Sequence, residues 1–193
     1  MPHTQYLALL RGINVGGGNI IRMADLKTCL EASRLENVAT YIASGNVLFE
    51  SAETNTARLA GALERVLSRT FSPYKARLVL CSHAKLERIV RKAPKSFGSQ
   101  PEKYRYDVIF LKEPITASEA MKSVTTKDGV DQAVGGPDVL YFSRLIAKAA
   151  QSRLTRIVTL PVYQSLTIRS WNTTIKLLAL MDARAQPRAT SSV

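Results

Sequence analysis

One order of patterns runs through this chain twice, and few folds can accommodate it. Residues 5–11, Gln-Tyr-Leu-Ala-Leu-Leu-Arg, form a short apolar run that ends in glycines and reads as a buried strand. Met23, Leu26, Cys29 and Leu30 then recur at helical spacing. Val38 to Ile42 reads as a second strand, Ser44-Gly45-Asn46 as a tight hairpin turn, and Val47-Leu48-Phe49 as the start of a third strand. Leu59, Leu63, Val66, Leu67 and Phe71 mark an amphipathic helix stopped by Ser72-Pro73. Ala76 to Leu80 is a fourth strand, and Ser82 caps a further helix that Pro94 ends.

The second half follows suit. Tyr106 to Leu111 predicts a strand, and Thr116-x-x-Glu119 is a capping box that opens a helix with Met121 and Val124. Val130–Val134 and Val139–Phe142 flank Gly135-Gly136 as a hairpin. Ser152 to Leu160 predicts a helix, Tyr163 to Ile168 a strand, and Trp171, Ile175, Leu178 and Met181 a last helix. The order strand–helix–strand–strand–helix–strand is the ferredoxin-like split unit. The expected fold is therefore α+β: two tandem ferredoxin-like units, each an antiparallel sheet with helices, plus a trailing helix. The expected bounds are 1–95 for the first unit, 103–183 for the second and 184–193 for a flexible tail. Pro94, Gly98 and Pro101 mark the connection between the units.

A chain of 193 residues with 46% hydrophobic content can bury a core of this size. No apolar run reaches the ~18 residues that span a bilayer. The opening Met1-Pro2-His3-Thr4-Gln5 lacks the pattern of a secretory signal, so no membrane partner and a cytoplasmic location are expected. Cys29 and Cys81 form no CxxC pair. Cys29 reads as a small buried hydrophobe, and Cys81 with His83 reads as strand-end spacing more readily than as a catalytic pair. With two histidines and two scattered cysteines, no metal or other cofactor is expected.

The net charge of +12 comes from 27 basic and 15 acidic residues. Between Arg65 and Lys95 there are nine basic residues and one acid, Glu87. Such an excess attracts polyanions. The expected partner is an anionic small molecule or nucleic acid. The plainer alternative is a solvated, arginine-rich surface.

The most informative stretch is Arg11-Gly12-Ile13-Asn14-Val15-Gly16-Gly17-Gly18. Glycine permits positive φ and close approach of a ligand. Backbone N–H groups in such a loop can form a concave anion site, to which Arg11 adds a permanently charged fork. The stretch is neither a Walker A loop nor GxGxxG. A crossover that simply needs flexible residues accounts for it equally well. The first and third strands of a split unit are antiparallel neighbours, which brings Arg11–Gly18 beside Ser44-Gly45-Asn46, with the turn at 72–75 at the same end. Asn46 supplies both donor and acceptor atoms there. A second cluster joins Arg169, Trp171 and Asn172; Ser170 as a helix cap and Trp171 as a core anchor explain it without a ligand. The candidate ligand-binding residues are thus Arg11, Gly12, Asn14, Gly16, Gly17, Ser44, Asn46, Arg169, Trp171 and Asn172, with no catalytic residue assigned.

These motifs are similar to those of the family named domain of unknown function 1697. The resemblance rests on Leu-Leu-Arg-Gly-Ile-Asn-Val-Gly-Gly at 9–17, Met23 with Leu26, Tyr41-Ile42-x-Ser44-Gly45-Asn46-Val47, Ser152-x-Leu154, and Arg169-x-Trp171-Asn172-Thr173 with Lys176-Leu177. It runs from Tyr6 to about Leu180. It implies two ferredoxin-like units in a bacterial-type cytosolic protein, and no agreed reaction. The chain departs from the family at Ser170, where asparagine is usual, and at Arg153, where lysine is usual.

Three functions follow as expectations. The first is binding of a phosphorylated or otherwise anionic ligand, including nucleic acid, at the loop after the first strand. The second is acylphosphatase-like hydrolysis, with Arg11 clamping the anion and Asn46 orienting water; this is analogy at the level of fold. The third is a non-catalytic protein-interaction scaffold, for instance a homodimer.

Overall fold

The computed structural model describes residues 3–16 and 18–185. The first unit runs β1 (Thr4–Leu10), α1 (Met23–Glu31), β2 (Glu36–Tyr41), β3 (Asn46–Ser51), α2 (Thr56–Thr70), β4 (Leu78–Ser82) and α3 (His83–Arg91). The second runs β5 (Tyr104–Leu111), α4 (Ala117–Ser123), β6 (Asp131–Gly136), β7 (Val139–Leu145), β8 (Leu166–Ser170) and α5 (Trp171–Ala185). The sheets are antiparallel, in the orders β2-β3-β1-β4 and β6-β7-β5-β8. The tandem ferredoxin-like plan holds.

The continuous apolar run of β1 reflects burial on both faces, as expected where a strand has no wet side. Tyr6, Ala8 and Leu10 face a core built with α1 and α2, while Leu7 and Leu9 face a second core. That second core joins the two units. It takes Leu48, Val79 and Cys81 from the first sheet, Leu86 and Ile89 from α3, Val108, Phe110 and Tyr141 from the second sheet, and Leu177 and Met181 from α5. A fully buried side chain of this kind contributes roughly 1.5–3 kcal/mol, so each trailing helix serves both units. The far face of the second sheet packs on α4 and Leu154 and Ile157.

Three expected features differ. Gly135 and Gly136, expected as the hairpin turn, pair with Leu140 and Val139 at the end of β6, and the turn falls at Pro137-Asp138, where Asp138 takes a left-handed φ of +61°. The predicted helix over 152–160 is replaced by three short 3-10 segments, Ile146–Gln151, Leu154–Thr159 and Pro161–Ser165. The Asp131 carboxylate accepts from the amides of Lys127 and Arg153, fixing the entry, and Pro161 lacks the N–H that an α-helix would need. The last strand starts at Leu166 rather than Tyr163, because Leu166 is the partner of Leu111, where β5 ends. Elsewhere the caps behave as the spacing predicts. Ser82 caps α3, Thr116 and Glu119 form the capping box of α4, and Ser170 Oγ accepts from the Thr173 amide.

The connection between the units is held down by Phe97, whose ring stands edge-on to Tyr106, Tyr141 and Trp171 at 5.0, 5.3 and 5.1 Å. Of the expected tail over 184–193, Arg184 and Ala185 complete α5, and Arg184 donates to the Asn37 carbonyl; the remainder lies outside the described residues. Among the described residues no helix is long and apolar enough to cross a membrane.

Candidate ligand site at the end of the first sheet

The pairing of β1 with β3 sets Leu9 opposite Asn46, so the end of β1 and the hairpin tip lie side by side. The Leu10 amide donates to the Gly45 carbonyl at 2.8 Å, and the Arg11 amide to the Arg77 carbonyl at 2.9 Å. The turn before β4 reaches the same end, where the Tyr74 hydroxyl donates to the Arg11 carbonyl at 2.7 Å. Burial pushes that phenol up to about 12, so it remains a donor at neutral pH. Gly45 is required here. Its φ is +73°, and a Cβ would sit 2.8 Å from both Ile13 Cδ1 and Leu10 Cβ.

Asn14 ties the loop to the hairpin. Its Nδ2 donates to the carbonyls of Ile21 at 2.9 Å and Ala43 at 2.8 Å, and its Oδ1 accepts from the Ile21 amide. Asn46 is fully buried. Its Nδ2 donates to the Tyr41 carbonyl and to Ser44 Oγ, both at 3.0 Å.

Arg169 joins this set from the second unit. Its Nε donates to Asn46 Oδ1 at 2.5 Å, and its Nη2 donates to the carbonyls of Leu10 at 2.7 Å and Ser44 at 2.8 Å. Its Nη1 donates to Thr167 Oγ1 and the Ile168 carbonyl, each at 2.8 Å. Burial pushes the guanidinium down to about 10, which still leaves it charged at neutral pH. The fork fills the space between hairpin tip and β1. Asn46 and Ser44 lie beside the end of β1 as the strand order predicts, and the structure adds Arg169 to them, a meeting the sequence left open; their polar atoms are spent on one another and on the backbone.

Arg11 leaves the loop on its own course. Its guanidinium lies 4.1 Å from the centre of the Tyr163 ring, and Nη1 donates to Gln164 Oε1 at 2.9 Å. The space between Arg11, Arg77, Lys112 and Gln164 is closed even to water. Gly12 and Gly16 have φ of +69° and +61°, with open space where a Cβ would stand. Gly17 lies outside the described residues. Trp171 packs against the shared core beside Phe97, and the side chain of Asn172 is exposed; neither shares a hydrogen bond with the Arg169 cluster.

The thiol of Cys81 is buried and pushed up to about 12, while His83 pairs with Asp182 at 2.6 Å across α3 and α5. They form no nucleophile–base pair. Two groupings stand outside the candidate residues read from the sequence. His3, just before β1, joins the paired Glu36 and Glu50 of β2 and β3 and brings three metal-capable groups within 4.8 Å of one another. Tyr104, Tyr106 and Tyr141 gather on one face of the second sheet; the alternation Tyr104-Arg105-Tyr106 is the signal that reveals it.

Over residues 3–141 the chain matches the family model described as "Protein of unknown function (DUF1697)". It is similar to a structure described as that of the conserved bacterial protein SP0830 from Streptococcus pneumoniae. The two are 26% identical with a TM-score of 0.81, over 93% of this chain and 99% of that one. No curated protein matches it.

Proposed function

We propose that this chain, which belongs to the DUF1697 family of unknown function, binds a phosphorylated or otherwise anionic ligand on the outer rim of the loop after β1. One observation carries the reading: left-handed residues alternate along the loop, at Gly12, Asn14 and Gly16. Alternation of this kind turns successive N–H groups toward one side, the geometry of an anion-binding nest. The Asn14 amide donates to the Asn19 carbonyl at 3.2 Å, while the amides of Gly12, Ile13 and Gly16 have no acceptor among the described residues and are the ones open to an anion. Arg11, held by Tyr163 and Gln164, adds a positive charge at the root of the loop. Asn46 and Arg169, both buried, support the loop from beneath and stay out of reach of a guest, with Ser44 half-buried beside them.

Hydrolysis is less well supported. An Asn46 that orients water needs a free amide, and both of its polar atoms are engaged. The reading is tested by thermal shift with phosphate, pyrophosphate and acetyl phosphate. A ligand at ~100 times its dissociation constant adds roughly 2.7 kcal/mol of stability. The shift is expected in the parent and reduced in Arg11→Gln. No shift with any of the three ends the reading, and turnover of acetyl phosphate restores the hydrolase.

One observation favours a scaffold as the second reading. Val15, Ile20 and Ile42 are 69%, 78% and 51% exposed, and the Asn14 side chain bonds to Ile21 and Ala43, the chain neighbours of two of them. Apolar groups gathered on a rim suit contact with another protein. A concentration-dependent dimer by light scattering that Ile20→Ser and Ile42→Ser abolish supports it.

A further inference from the structure

The second sheet is open at one end. Tyr104 and Tyr106 alternate with Arg105, so both lie on the face that Val108 and Phe110 bury farther along β5. On β7, Ser143 stands opposite Tyr106, and Tyr141 opposite Val108, on the same face. The connection at 94–100 folds over this end through Phe97 and leaves a cavity of about 240 Å³. That is smaller than the ~300–1,000 Å³ of sites for drug-sized ligands, so the cavity suits a single ring system.

The walls define the chemistry of the guest. Tyr104, Tyr106 and Tyr141 supply aromatic surface, and no charged side chain lines the space. The side-chain amides of Gln100 and Gln132 border it and have no partner among the described residues. Each carboxamide offers a donor beside an acceptor, the complement of the edge of a heterocyclic base. Positive charge begins at the rim. Lys103 Nζ lies 5.4 Å from the centre of the Tyr104 ring, and Lys95 is flanked in the chain by Pro94 and Ser96, which line the cavity. An uncharged, hydrogen-bonding, stackable interior with ammonium groups outside fits a base joined to a phosphate.

The geometry points to a nucleotide site: the base enters this cavity between the tyrosines and the two glutamines, and its phosphate meets Lys103 and Lys95. The site is independent of the loop after β1. It uses the first and third strands of the second unit, the pair on which ferredoxin-like RNA binders stack bases. In this chain the rest of that face is buried between the units, which leaves room for one base. A free nucleotide and a nucleotide within a single strand share the chemistry, and the test separates them.

Titration calorimetry at low salt with AMP, GMP, CMP and UMP, and with five-residue single-stranded RNAs of each base, tests the site. Saturable binding of at least one is expected. Tyr104→Ala, at a half-buried position, should weaken it about tenfold or more. Gln132→Ala should change the preference among bases, and Lys103→Gln should weaken the mononucleotides without changing that preference. An oligomer that binds tenfold tighter than its mononucleotide identifies a strand as the ligand, whereas equal affinities identify the free nucleotide. The proposal is overturned if nothing binds, or if affinity is unchanged in Tyr104→Ala and Gln132→Ala shown by circular dichroism to be folded. Binding lost in Arg11→Gln and kept in Tyr104→Ala also overturns it, by moving the site to the first loop.

Discussion

Arg169 Nε donates to Asn46 Oδ1 across 123 residues of sequence, and the same guanidinium caps the carbonyls of Leu10 and Ser44. One side chain of the second unit thereby closes the end of the first sheet. A buried fork with this many acceptors holds two units in one arrangement, because removing it strands several carbonyls away from water.

Arg169→Met is therefore expected to lose about 3–5 kcal/mol of stability, since the acceptors it leaves are buried. Arg169→Lys keeps the charge and loses the planar fork, so it should fall between the parent and Arg169→Met. In a double-mutant cycle with Asn46→Ala, urea melts should give a coupling of about 1–3 kcal/mol. Additive losses would mean that the two side chains act separately and that the pin is not a unit.

Gly12 of the first loop and Gly45 of the hairpin tip should separate by what surrounds them. Gly45→Ala combines a left-handed φ with two contacts of 2.8 Å, to Ile13 and Leu10 inside the core. Gly12→Ala meets no atom within 4 Å and carries only the cost of its φ of +69°. Thermal denaturation should place Gly12→Ala about 1 kcal/mol below the parent and Gly45→Ala clearly lower. Equal losses would show that the loop relaxes around position 45.

Much of this arrangement was legible in the sequence. The convergence of loop and hairpin followed from one inference, that the first and third strands of a split unit pair antiparallel, and Leu9 opposite Asn46 bears it out. Ser170 read as a cap and is one. What local patterns could not carry was the destination of long polar side chains. Arg169 and Asn46 each looked available for a guest, and their partnership depends on how two units pack, which no local spacing encodes. The helix expected over 152–160 failed for a similar reason: apolar periodicity at Leu154 and Ile157 serves a 3-10 turn on the core as well as an α-helix, and Asp131 decides between them from 22 residues away.

The two cysteines should be silent in the folded protein. Both are free and buried, and burial pushes the Cys81 thiol up to about 12. Thiolate, the reactive form, is therefore scarce at Cys81 at neutral pH. A thiol-reactive chromogen should label neither cysteine on the timescale of seconds in buffer and both in guanidinium. Fast labelling of Cys81 in buffer would place it at a surface this fold does not provide, since Cys81 is fully buried.

Asp107 carries the pH dependence to look for in mild acid. Burial raises its carboxyl above the ordinary 3.8, and Arg144 and Arg105 oppose the shift only in part. Arg144 Nη2 stands 3.6 Å from Oδ2, which has no hydrogen bond. The folded state therefore holds this proton more tightly than the unfolded state. The stabilisation from it is complete below the ordinary value and is lost as pH rises through the raised folded value. Asp107→Asn cannot titrate, so the stability of the parent relative to this variant should fall as pH rises from about 3.5 toward neutrality. Paired thermal melts across that range measure the difference directly. A difference that stays level, or grows with pH, would mean that Arg144 compensates the buried carboxylate in full.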